Sequence, residues 1–169
     1  MASIKGVTLK GLTRFIGMEG EAYQGNIYLN NKKVGWFSQS GSGGCSDVDY
    51  DSPEVKKEIT AIVEQYFKEN PPNCDWAGTD EFFFEDLVSL LLDEKDFKKA
   101  VKKGYAGYAI VSNVFIPDAE PRPYKVPMAY SLPPNFVSDA VAMEGFFKEM
   151  KEKGYDKIVV YKSLNDFIK

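Results

Sequence analysis

The chain contains no histidine. That absence removes Ser-His-Asp and Cys-His catalysis, histidine general bases, and the usual zinc and non-haem iron ligand sets. Cysteine is nearly as scarce. Cys45 and Cys74 are the only two and have no C-x-x-C spacing, which argues against a disulfide framework and for two ordinary cytosolic thiols. Basic charge is also short, with 21 Lys and Arg against 25 Asp and Glu and a net charge of −4. A surface that tracks phosphates needs the opposite balance, so general nucleic-acid binding is disfavoured. No apolar run approaches the ~18 residues of a membrane span. The opening "MASIKGVTLKGL" lacks the charged-then-apolar layout of a secretory signal. A cytoplasmic protein without a membrane segment is expected.

What remains is the composition of a folded domain. Apolar residues make up 44% of the 169 and aromatic residues 14%, enough for a proper core without staples. One domain, residues 1–169, is the expectation. Residues 3–16 place Ile4, Val7, Leu9, Leu12 and Phe15 in a broken alternation and predict a strand. In "NIYLNNKKVGWF" two apolar-alternating runs flank Asn30-Asn31, a hairpin signal because Asn tolerates positive φ. Three antiparallel strands are predicted at the N-terminus.

"SPEVKKEITAIVEQYFKENPP" is marked as a helix at both ends: Ser52 can cap, Pro53 needs no N–H, and Asn70-Pro71-Pro72 stops it. Val55, Ile59, Ile62, Val63, Tyr66 and Phe67 form one apolar stripe. A second helix starts near Thr79. Its apolar residues, Phe82 to Leu92, spread round the circumference, which predicts a central, buried helix. The charged run Asp93–Asp96 is expected to break it before a short basic helix ending at Gly104. "YAGYAIVSNVFIP" reads as a strand. Six of nine prolines then fall between Pro117 and Pro134, none at PxxP spacing, and predict an extended edge and loop. "SDAVAMEGFFKEMKEKG" is a third major helix with Gly154 as its stop. "DKIVVYKS" is a last strand, and Ser163 is expected to cap the turn "LNDFI". The fold class that follows is α+β: an N-terminal antiparallel hairpin sheet, central buried helices, and C-terminal strand-helix-strand elements.

The stretch "GWFSQSGSGGCSDVDYDSPEVKKE" supports three readings. As a phosphate cradle, "GSGG" offers free backbone N–H groups before a helix start, but the P-loop lysine is missing and three aspartates intervene. As a calcium loop, Asp47, Asp49 and Asp51 occupy positions 1, 3 and 5, with Glu58 at position 12. Position 6 should then be Gly and is Ser52, and no helix precedes. The preferred reading is a flexible connection whose aspartates are solvated and favour the positive end of the following helix. Trp36 and Phe37 beside it, with Ser40, Gly41, Ser42, Gly43 and Gly44, are predicted to form a binding surface for a ligand or partner. Glu19 and Glu21 in "GMEGEAYQG" suit a solvated, glycine-laced bend better than an acid/base pair. Cys45 lacks the basic neighbour that a nucleophile needs, and the lysines from Lys95 to Lys103 suit a helix C-terminus.

The stretch 9–44 is similar to the opening of an uncharacterised family of small bacterial and phage-encoded proteins. In these a "GxEGxxYxxxxYxxxKKV" hairpin leads into an acidic Gly-Gly turn; "EKGYDKIVVYKSLNDFI" resembles their C-termini. The resemblance implies a phage or mobile-element setting. Together these readings predict a small non-catalytic binding protein without cofactor or metal: an accessory protein that inhibits a host (defence) protein or sequesters a small, anionic, nucleotide-like ligand. The alternative is a carboxylate- or metal-dependent enzyme built on Glu19, Glu21, Asp47, Asp49 and Asp51.

Overall fold

The computed structural model describes residues 1–71, 79–113 and 127–169. The chain divides into two compact units, Met1–Leu91 with Ile168–Lys169, and Leu92–Phe167. The fold is α+β, with an antiparallel hairpin sheet at the N-terminus. No helix among the described residues is long and apolar enough to cross a membrane.

The first unit is a four-stranded antiparallel meander, β1 (Val7–Ile16), β2 (Glu21–Leu29), β3 (Lys32–Gln39) and β4 (Asp47–Tyr50), in that spatial order. The Asn30-Asn31 turn forms as expected, both residues at positive φ (49° and 69°), and closes the hairpin beyond the pair Leu29–Lys32. Two β-bulges punctuate the sheet. Gly11, at φ 67°, lies in the first, where Gly11 and Leu12 on β1 oppose the single Gly25 on β2. This is the physical reason for the broken alternation of β1. The second bulge inserts Val34 opposite Ile27–Tyr28, so that Val34 and Phe37, of opposite parity, are both buried.

β4 is a strand where a connection was expected. Phe37 pairs with Val48 and Trp36 with Asp49, and the backbone groups of the aspartate run thereby find partners on β3. Next, α1 (Pro53–Glu69) starts as the sequence predicts. Ser52 accepts the Val55 N–H (3.3 Å), Pro53 occupies the first turn and Asn70 ends the helix. Ile59, Val63 and Tyr66 of its stripe are buried. Phe83 and Phe84, near the start of α2 (Asp80–Lys102), join them in the core: Tyr66 meets Phe83 edge-on at 5.4 Å, and Phe84 lies against Phe37 at 5.5 Å.

The expected break at Asp93–Asp96 does not occur, and α2 is continuous to Lys102. The reason is that the charges find partners without leaving the helix. Glu94, buried, pairs with Lys98 one turn on (2.7 Å); Asp96 pairs with Lys99 (2.7 Å); Asp93 accepts the Tyr161 hydroxyl (3.0 Å).

In the second unit, β5 (Gly107–Ser112) is the central strand, flanked antiparallel by β6 (Met128–Leu132) and β7 (Lys157–Tyr161). The short α3 (Pro134–Ser138), which the sequence did not announce, and α4 (Ala140–Glu152) link β6 to β7. This is the expected strand-helix-strand. Asp139 caps α4 by accepting from the Val141 and Ala142 N–H groups, and Gly154, at φ 81°, ends it. Met143, Phe146 and Met150 pack with Ala109, Val111, Leu132 and Tyr155. On the other face of β5, burial and the carboxylates of Asp96 and Asp93 push the Tyr108 hydroxyl up to about 12. The final 3-10 turn, Leu164–Phe167, reverses the expected cap: Ser163 donates its hydroxyl to Asp166 (3.0 Å) instead of accepting. Of the proline-dense segment, β6 is an edge strand as expected, while residues 114–126, like Cys74, lie outside the described residues.

Candidate partner-binding site

In an antiparallel meander the end of β1, the start of β2, the end of β3 and the start of β4 fall at one end of the sheet. Two loops therefore meet there, 17–20 and 40–46. They lock each other. Gly17 donates to the Gly20 carbonyl (2.7 Å), and Glu19 donates its backbone N–H to the Gly41 carbonyl (2.8 Å). A Cβ on Gly17 would stand 2.5 Å from the Ser40 and Gly41 carbonyl oxygens, so only glycine fits that approach. Gly41 and Gly43 have φ of 65° and 74°, which glycine alone adopts freely. The Glu19 carboxylate lies where a Cβ on Gly43 would be.

Gln39 completes the lock. Its Nε2 donates to the Gly44 carbonyl (3.3 Å) and the Ser46 hydroxyl (3.1 Å), while its Oε1 accepts the Gly41 N–H (3.0 Å). From α2, Glu81 accepts the Ser46 N–H (2.7 Å). The glycine run is thus a shaped loop, and the flexible link expected from its composition is corrected: side-chain and backbone partners from outside the run hold it.

The seven residues singled out from the sequence separate into two groups. Ser40, Ser42, Gly43 and Gly44 are exposed on the loop, with the Ser40 and Ser42 hydroxyls 2.6 Å apart; Gly41 is buried beneath them. Trp36 is 42% exposed on the outer face of β3 and donates its indole N–H to Asp49 (3.1 Å). Phe37 is fully buried against Phe84 and lines no surface. Neighbouring strand residues point to opposite faces, so the pair could not both be presented.

The carboxylates do not converge. Glu21 is taken up by Arg14 and by the Tyr23 hydroxyl. Asp49 holds Trp36, and Glu19 backs onto Gly43. No group of three or more His, Cys, Asp or Glu placed to hold a metal occurs among the described residues. Asp47 and Asp49 lie in a paired strand, not in the loop of an EF-hand. Cys45 is exposed.

The surroundings are acidic. No Lys or Arg occurs from Phe15 to Asn31 or from Val34 to Val55, stretches that hold Glu19, Glu21, Asp47, Asp49, Asp51 and Glu54. Glu85, on α2 beside Gln39, has its carboxyl raised above the usual range by burial first and then by the charge of Glu81, against a hydrogen bond from Gln39. A carboxyl raised in the folded state favours folding while protonated and loses that contribution as pH rises through its folded pKa. Glu85→Gln is therefore expected to raise the melting temperature at pH 7, with the difference from wild type vanishing as pH falls into the ordinary carboxylate range. A pH-independent difference would reject this account.

Sequence reasoning passed over Gln39, whose role depends on partners five and seven residues away. It also passed over Ile16, the last residue of β1, and Met18 in loop 17–20, which are 91% and 94% exposed. The signal available was their place around Gly17, where a turn leaves apolar side chains nothing to pack on. Compared with protein-family models, with curated proteins and with solved structures, the chain matches none.

Proposed function

We propose that the chain is a non-catalytic binding protein whose contact face is the loop end of the four-stranded sheet, and that its partner is a protein. The observation that carries this is the mutual locking of loops 17–20 and 40–46 into one preformed, acidic surface beside a half-exposed tryptophan. Preformed loops lose little entropy on binding, and tryptophan is a frequent anchor of interfaces. A small anionic ligand fits less well. The Gly41 N–H that would meet an anion is bonded to Gln39, and the Glu19 carboxylate faces Gly43. The resemblance of the hairpin to phage-encoded proteins extends the reading to an accessory protein that occupies a host defence protein.

Ser40 and Ser42 give the test, because both are exposed and bond to each other. Ser40→Lys with Ser42→Lys is expected to weaken capture of the partner from host lysate at least tenfold, and Ser40→Asp with Ser42→Asp to leave it intact or strengthen it. Opposed charges attract across an interface and like charges cost several kcal/mol. Isothermal titration with ATP should give no binding heat. ATP binding that the aspartate pair abolishes would replace this reading with the anionic ligand.

A further inference from the structure

We infer that the tip of the β1–β2 hairpin is a docking knob, with Ile16 and Met18 inserting into an apolar cleft edged by lysine or arginine on the partner protein; this rests on the binding reading above. A single exposed apolar side chain carries little information. Here Ile16 and Met18 stand two residues apart at 91% and 94% exposure, while Phe15, 46% exposed, lies on the opposite face of β1. Apolar side chains this exposed bury almost nothing in their own unit. Met adapts to an irregular cleft better than a branched side chain does.

Two further observations fix the partner's chemistry. The tip is held in place before binding: Gly17 closes on Gly20, Glu19 bonds to Gly41, and the Gly17 Cα abuts two carbonyl groups. A held knob inserts without an ordering cost. The tip is also bordered by one sign of charge. Glu19 lies within it, Glu21 at its base and Asp47 at the start of β4, beyond loop 40–46, while Arg14 on β1 is paired with Glu21. Anionic membrane surfaces repel such a border, and two copies meeting tip to tip would repel each other. A basic-edged cleft is the complement. A second copy could offer a related surface at the end of α2, where Val101 and Tyr105 are exposed among Lys99, Lys102 and Lys103; the test below separates it.

The full chain is prepared with benzoylphenylalanine at position 18, at position 42 in the glycine loop, or at position 144 on α4 as control, and irradiated in host lysate. Position 18 is expected to crosslink to a peptide that carries Lys or Arg beside apolar residues. The protein so identified, once purified, should bind wild type at least tenfold more tightly than the Ile16→Ser, Met18→Ser double variant. That variant should melt like wild type, and the binding should weaken with salt. Crosslinks from position 42 but not 18 would overturn the knob and leave the contact face standing; crosslinks from neither would overturn both. A crosslinked peptide from this same chain, or the same products from position 144, would also overturn the inference.

Discussion

Phe37→Ala is expected to lower the unfolding free energy by about 3–5 kcal/mol, and Trp36→Ala, one residue earlier, by about 1 kcal/mol or less. The two side chains differ little in size and share a strand, so the contrast comes from the face each occupies. Phe37 is fully buried and lies against Phe84, which itself meets Phe83 edge-on at 5.4 Å; Phe83 in turn meets Tyr66 of α1. Removing the ring leaves a cavity at the junction of β3 with α2, lined by rigid aromatic groups that cannot collapse into it. Trp36 loses a half-exposed surface and one hydrogen bond to Asp49, itself exposed, where water replaces the partner. Urea denaturation with both variants checks the difference. Equal losses would mean that the Val34 bulge does not set the facing of β3 as described. If Trp36→Ala also weakens partner capture, its effect on binding is read in a protein that is still folded.

The features that were legible in the sequence are those whose chemistry is local. Asn30-Asn31 can take positive φ by itself, Ser52-Pro53 carries a helix start within two residues, and Gly154 ends α4 where the pattern said it would. Strand period puts Trp36 and Phe37 on opposite faces, against the expectation that both line one surface, but which of them is buried depends on the Val34 bulge and on Phe84. What could not be read depends on distant partners. β4 forms because β3 offers a free edge to an aspartate run that its composition marks as loop. α2 continues through four charged residues because Lys98, Lys99 and Tyr161 answer three of them, the last from 68 positions away. The glycine run reads from its composition as a flexible link; the hydrogen bonds that hold it come from Gln39 and from the Gly17–Gly20 turn, and no property of "SGSGG" encodes them.

Phe167→Ala should be as damaging as Phe37→Ala, about 3–5 kcal/mol, although it sits in a turn of only four residues. A four-residue 3-10 turn has little stability of its own. This one is fixed twice. Asp166 accepts from the Lys162 and Ser163 N–H groups (2.6 and 2.9 Å) and from the Ser163 hydroxyl, and these bonds, the Lys162 N–H foremost, hold its carboxyl below the usual range. Phe167, fully buried, stacks on Tyr161 at 4.2 Å and lies 5.5 Å from Phe97 of α2. The Tyr161 ring is fixed in turn by its hydroxyl bond to Asp93. Loss of the Phe167 ring would leave one face of Tyr161 open and release the turn, so amide exchange should accelerate in β7 and along Leu92–Lys102. The two fixings separate by pH. A carboxyl held low in the folded state contributes stability at neutral pH that is lost as pH falls through the ordinary carboxylate range. Asp166→Asn should therefore be destabilising at pH 7 and converge on wild type in acid, whereas the Phe167→Ala loss should persist across that range. If Phe167→Ala unfolds no more easily than wild type and β7 exchange is unchanged, the 3-10 turn is only resting on the unit and the packing assigned to Phe167 is wrong.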